Sequence, residues 1–198
     1  MEWEIDKLLK HPEPFTMPET QASELKLRSF KQIFEHHYNN CSEYRKFCDL
    51  YKLSPRDITT LDDLVKIPPI PSDAFRGTEK LIMSVPAEKI VLVPTTSSTT
   101  SKNPCRYALD PDTLRRATLA GKHFLADIGL KGGFVVMLTP PPEESDTGMV
   151  SGMGHMLKKG LKFRDRMVYA VHGAKVETEN VIRAITTTSH RPVHFFGP

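Results

Sequence analysis

Apolar residues in the first third of the chain recur at helical spacing. Over residues 23–48, Leu25, Leu27, Phe30, Ile33, Phe34 and Tyr38 fit one helical stripe better than strict alternation. Pro12, Pro14 and Pro18 punctuate what precedes it, and a second short helix is expected from near Thr60 through LDDLVKI. Residues 1–66 therefore read as a mainly helical N-terminal region. The next stretch, IPPIPSDAF over residues 67–75, interleaves apolar residues with three prolines. Proline donates no backbone N–H, so this stretch reads as an extended, stiff connection and not as a central strand.

From about residue 80 the pattern changes to short apolar runs alternating with helical segments. KIVLVP, CRYAL, GFVVMLTP, RMVYAVHG and PVHFFG are strand candidates. DPDTLRRATLAGKHFLADIG is a helix candidate: Asp110 suits its N-cap, Pro111 its first turn and Gly129 its end. Residues 148–160 read as a Gly-broken helix and ETENVIRAITTTSH as a further one. Alternation of this kind implies crossover connections. The expected fold class is α/β, a mostly parallel sheet with helices on both faces, preceded by the helical region. The α/β region spans 67–198. It ends at Phe195-Phe196-Gly197-Pro198, where a parallel strand would hand over to its next loop, so the domain reads as incomplete.

Candidate chemistry sits between two of the strand candidates. Thr95 to Ser101, within TTSSTTSKNP, are seven hydroxyl residues in a row. They read either as a solvated hairpin loop or as a loop holding an anion through hydroxyls and backbone N–H groups. Arg106 reads as a surface residue that could also neutralise phosphate. Cys105 reads as a buried structural thiol, and Glu143, Glu144 and Asp146 as solvated carboxylates with a secondary option of Mg²⁺. His155, with Met149, Met153 and Met156, reads as part of a Met-rich helix or as an acyl-pocket lining. His172, Gly173 and Gly197 fall at strand ends, where ligands bind in open α/β sheets. His36 and His37 read as a solvated pair.

Composition narrows the field. A net charge of +3 is too small to argue for nucleic acid. Cys41, Cys48 and Cys105 form no C-x-x-C and are odd in number, which reads as reduced thiols in a cytoplasmic protein. No segment approaches the roughly 20 apolar residues of a membrane span, and the acidic start MEWEIDKLLKHPEPF does not read as a signal peptide. Neither G-x-x-x-x-G-K-[ST] nor G-x-G-x-x-G occurs.

The order of segments resembles the LuxE-type acyl-protein synthetases, which group with the phenylacetate–CoA-ligase-like adenylate-forming enzymes. That family has an I-P-x-x-P-x-x-x-F segment, a T-S-S-G-T-T-G phosphate loop, a Leu-Asp helix start and a strand-end loop. Here the corresponding segments are Ile67 to Phe75, the hydroxyl run matching at Thr96, Ser97, Thr99 and Thr100, then Leu109-Asp110, and Leu138 to Glu144. The resemblance spans roughly residues 60–198 and covers the first part of such an enzyme; the family's later ATP-binding motifs have no counterpart in it. Ser98 and Ser101 stand where the family has glycine, whose backbone takes positive φ and approaches phosphate closely.

The resemblance implies use of ATP and Mg²⁺ to activate a fatty or aryl carboxylate as an acyl-adenylate. The acyl group then passes to a thiol on a protein or on coenzyme A. It further implies phosphate binding by Thr96, Ser97, Ser98, Thr99, Thr100, Ser101 and Lys102, and pairing with a C-terminal part or self-association. No catalytic residue is assigned. The rival expectation is a non-catalytic interaction module, to which the two serines point.

Overall fold

The computed structural model describes residues 3–76, 81–96, 103–130, 133–144, 167–173, 175–187 and 192–197. The chain divides into two compact units, one of residues 1–93 with 103–116, the other of residues 94–102 with 117–198.

The first unit begins with three helices: α1 (Glu4–Lys10), α2 (Glu19–Asn40) and α3 (Ser42–Leu50). Pro18 precedes the first residue of α2, and a single extended residue, Cys41, separates α2 from α3. The helices bury a core of Phe34, Cys48, Leu53 and Ile58, flanked by Tyr38 and Tyr44. Both tyrosine rings meet Phe34 edge-on at 6.1 Å. The apolar stripe differs in one position from expectation. Phe30 is exposed, and Ser29 occupies the buried position one residue earlier. The short helix after Thr60 is a 3-10 turn over Asp62–Lys66. It forms because Asp63 gathers the chain before it: its Oδ2 accepts N–H and hydroxyl bonds from both Thr59 and Thr60 at 2.7–3.1 Å, and Lys66 donates to its Oδ1 at 2.7 Å. The proline segment is extended as expected up to Pro71, then tightens into a 3-10 turn over Ser72–Phe75.

KIVLVP and CRYAL do not form regular strands. Among the described residues Leu92 forms an antiparallel bridge with Leu109, and Arg76 forms one with Cys105. Pro94 ends the first run and Pro104 precedes the second, and neither has a backbone N–H to donate to a ladder. Helix α4 (Pro111–Asp127) follows, and its ends match the sequence reading. The Thr113 N–H donates to Asp110 Oδ1 at 2.8 Å at the N-cap, and Gly129, with φ +91°, closes the other end.

The second unit holds the expected parallel sheet. β1 (Phe134–Met137) lies between β2 (Met167–Tyr169) and β5 (Val193–Phe196), in order β2-β1-β5, both pairings parallel. Val135, Val136 and Met137 are buried, as a central strand covered on both faces requires. On one face Leu125 at the end of α4 and Leu130 pack on Val135 and Met137. On the other, Ala184 and Val181 of helix α5 (Thr178–Thr187) pack on Val136 and Val168. The run RMVYAVHG is not one strand. It leaves the parallel sheet after Tyr169, and β3 (Val171–His172) pairs antiparallel with β4 (Lys175–Val176). The helix expected over 148–160 lies outside the described residues.

Candidate functional site

The chain leads into the hydroxyl run from the Leu92–Leu109 bridge. Hydrogen bonds from Val91 N–H and Leu92 N–H to Leu109 O, and from Leu109 N–H to Leu92 O, fix its upstream flank. Downstream, Arg106 N–H donates to Phe75 O, and Arg76 Nη1 donates to Asn103 O at 3.1 Å. Thr95 and Thr96 are half-buried, and neither is without a partner. Ser97, Ser98, Thr99, Thr100, Ser101 and Lys102 lie outside the described residues, so the expected phosphate-binding set is described only at Thr96.

The carboxyl ends of the parallel strands bring a second group together. Glu144, in the 3-10 turn Pro142–Glu144, reaches the start of the β3–β4 hairpin. Its Oε1 lies 2.9 Å from His172 Nδ1, and its Oε2 accepts the Gly173 N–H at 3.0 Å. The hydrogen bond with His172 holds the Glu144 carboxyl below its ordinary range, against a smaller opposing effect of burial. Both Glu144 oxygens are thus committed within the protein, which weakens its secondary reading as a Mg²⁺ ligand. Beside it, the Thr139 Oγ1 and the Tyr169 hydroxyl are buried with no hydrogen-bond partner among the described residues. Burial pushes the Tyr169 phenol up, so it stays protonated and a donor. Gly197 sits against Leu138, where an added Cβ would come within 2.9 Å of the Leu138 Cβ.

The other sequence candidates fall as follows. Cys105 is 2% exposed and its thiol donates to Ser72 O at 3.5 Å, which makes it a structural thiol. Arg106 is half-buried. Met149, Met153, His155, Met156 and Asp146 lie outside the described residues. His36 is half-buried and His37 exposed, so the solvated-pair reading holds only in part. They line a cavity of the first unit, His37 Nδ1 lies 2.7 Å from Ser84 Oγ, and burial lowers the pKa of both imidazoles. Helical periodicity placed them on a polar face but could not show that residues 82–85 return to line a cavity beside it. Among the described residues no group of three or more His, Cys, Asp or Glu could hold a metal ion, and no helix is long and apolar enough to cross a membrane.

Three comparisons bear on this arrangement. Residues 1–140 match the family described as "Acyl-protein synthetase, LuxE". The long-chain-fatty-acid–luciferin-component ligase of Photorhabdus luminescens is 32% identical over 78 residues, 39% of this chain and 64% of that protein. Among solved structures, 2-hydroxyisobutyryl-CoA ligase in the postadenylation state with 2-HIB-AMP superposes with a TM-score of 0.64 at 18% identity. An open conformation of that ligase with 2-HIB-AMP and CoA gives 0.63 at 17%. The matches cover 87% of this chain but only 36% and 40% of the ligase chains. At such identities the likeness is one of fold, and it extends over only part of the ligase chain. With the family match extending over residues 1–140, the chain belongs to the LuxE acyl-protein synthetase family.

Proposed function

We propose that this chain supplies the phosphate-holding part of an enzyme that activates a fatty or aryl carboxylate with ATP and passes the acyl group to a thiol. The observation that carries the reading is the run of seven hydroxyls, Thr95 to Ser101, in a chain of this family whose fold matches a ligase solved with an acyl-AMP. The donor set suits phosphate. Hydroxyls and backbone N–H groups donate to anionic oxygens, and Lys102 adds a cation. ATP, as substrate, supplies the leaving pyrophosphate. Thr96, Ser97, Ser98, Thr99, Thr100, Ser101 and Lys102 hold its outer phosphates and stabilise the charge that develops there. Mg²⁺ ordinarily keeps several waters and takes one or two carboxylates beside the phosphates, so it requires no dedicated cage in the protein.

Calorimetric titration of the full chain with pyrophosphate and with MgATP tests this. A charge-assisted hydrogen bond contributes about 1.5–3 kcal/mol. Removing two hydroxyls with Thr99→Ala and Thr100→Ala is therefore expected to weaken binding roughly tenfold or more. Ser98→Gly with Ser101→Gly is expected to strengthen it by relieving the cost of positive φ. If the alanine pair binds as the wild type does, or nothing binds, the phosphate reading falls. The interaction-module reading, which the two serines favour, then takes its place.

A further inference from the structure

The first unit contains a cavity of about 650 Å³ built from its own residues alone. That lies within the roughly 300–1,000 Å³ of small-molecule sites. Its walls are apolar over most of their extent, with Ile33 of α2, Ile70 and Phe75 of the proline segment, and Ile82. Its polar end is formed by His36, His37 and Ser84, with the start of α4 contributing Asp110, Asp112 and Arg116.

The charge at that end is what selects an occupant. Among the described residues Arg116 is the only lining cation, and it is committed: its Nε and Nη2 donate to the two oxygens of Asp6 at 2.9 and 3.0 Å. Burial holds both imidazoles toward their neutral form. Burial pushes the Asp110 carboxyl up, but the hydrogen bonds from Thr113 and the nearby Arg116 charge outweigh it, so Asp110 stays ionised. Among the described residues an anionic head would meet two carboxylates and no unpaired cation, whereas an uncharged head would find imidazole and hydroxyl hydrogen-bonding groups.

We propose that this cavity binds an uncharged, mainly apolar small molecule with one hydrogen-bonding head, its apolar body along Ile33, Ile70, Phe75 and Ile82 and its head at His36, His37 and Ser84. Such a site discriminates against the carboxylate that the proposed enzyme activates. It does not depend on the hydroxyl run, so failure of nucleotide binding leaves it standing.

The test uses the full chain and three ligands sharing one alkyl group: 1-octanol, octanoate and octylamine, at pH 7.5 and below their aggregation limits. Trp3 lines the cavity and is the single tryptophan of the chain, so its emission reports occupancy alongside calorimetry. Octanol is expected to bind saturably and one to one, with octanoate weaker by roughly tenfold or more, because its buried charge has no partner. Octylamine serves as the opposite-charge control; binding tighter than octanol would overturn the uncharged assignment. Asp110→Asn keeps an N-cap and removes one carboxylate, and should narrow the gap between octanoate and octanol. Ile82→Trp fills the apolar slot and should abolish octanol binding in calorimetry while circular dichroism shows a folded chain. If that variant does not fold, the Asp110→Asn comparison decides. No saturable octanol binding, octanoate binding equal to octanol in the wild type, or an unchanged gap in Asp110→Asn would each overturn the proposal.

Discussion

Arg116, in the second turn of α4, grips Asp6 of α1 with both arms of its guanidinium across 110 residues of sequence. Arg115 adds a third bond to Asp6 Oδ1 at 2.9 Å, and the Arg116 guanidinium lies 4.9 Å above the Trp3 ring. The Asp6 side chain is only 6% exposed. A buried carboxylate between two guanidinium groups anchors the N-terminal helix, and its loss would leave Arg116 buried without its counter-charge. Asp6→Asn is therefore expected to destabilise the first unit by about 3 kcal/mol or more. Arg115 is 42% exposed, so Arg115→Ala should cost no more than about 1 kcal/mol. Urea unfolding of both variants checks the order; equal losses would mean that the bidentate pair is not the anchor.

Stability should respond to pH in two windows. The folded-state pKa values of His36 and His37 are lowered, chiefly by burial and, for His37, also by the neighbouring imidazole. A base whose folded pKa is depressed contributes fully above its unfolded pKa of about 6.5, and that contribution is lost as pH falls below it. The carboxyls of Asp6 and Asp63 are also held low. For Asp6 the Arg116 hydrogen bond is the main cause, and for Asp63 the Lys66 hydrogen bond followed by those from Thr59. Their contribution is complete above about pH 4 and is lost as pH falls through the acid range. Thermal midpoints should fall as pH drops below about 6.5 and again below about 4. A His36→Gln, His37→Gln double variant should flatten the first fall and keep the second. A first fall of unchanged size in that variant would show that other groups cause it.

Gly133 and Gly129 separate two kinds of glycine requirement. Gly133 has φ +106°, and a Cβ there would collide with the Pro192 carbonyl oxygen and come within 3.0 Å of the Pro192 ring. Gly129 has φ +91° and nothing within 4 Å of the Cβ position. Gly129→Ala should cost only the conformational strain, about 1–2 kcal/mol. Gly133→Ala should cost more, because the backbone leading into β5 must also shift. Chemical denaturation of the two variants decides, and equal costs would rule out the close approach at Pro192.

Local patterns sufficed where one element satisfies its own needs. Asp110, Pro111 and Gly129 specify the ends of α4 through bonds made within a few residues, and the unbroken apolar run of β1 marks a strand covered on both faces. The hydroxyl run was legible because residue type and order alone define it. Other features depend on distant partners. Whether KIVLVP becomes a strand depends on how many residues of CRYAL can pair with it, and among the described residues the pairing of the two runs is the bridge of Leu92 with Leu109. RMVYAVHG breaks at Ala170 because its N–H bonds to Met137 O while its O accepts from Glu177 N–H. The cavity around His36 and His37 exists only because the proline segment, residues 82–85 and the start of α4 converge on α2. Sequence alone determined the helical and α/β character of this protein and the position of its hydroxyl run, since propensity, capping and residue chemistry act locally. Tertiary structure alone decided that Arg116 meets Asp6 and that two histidines line an apolar chamber, because burial and pairing are set by what the rest of the chain brings alongside.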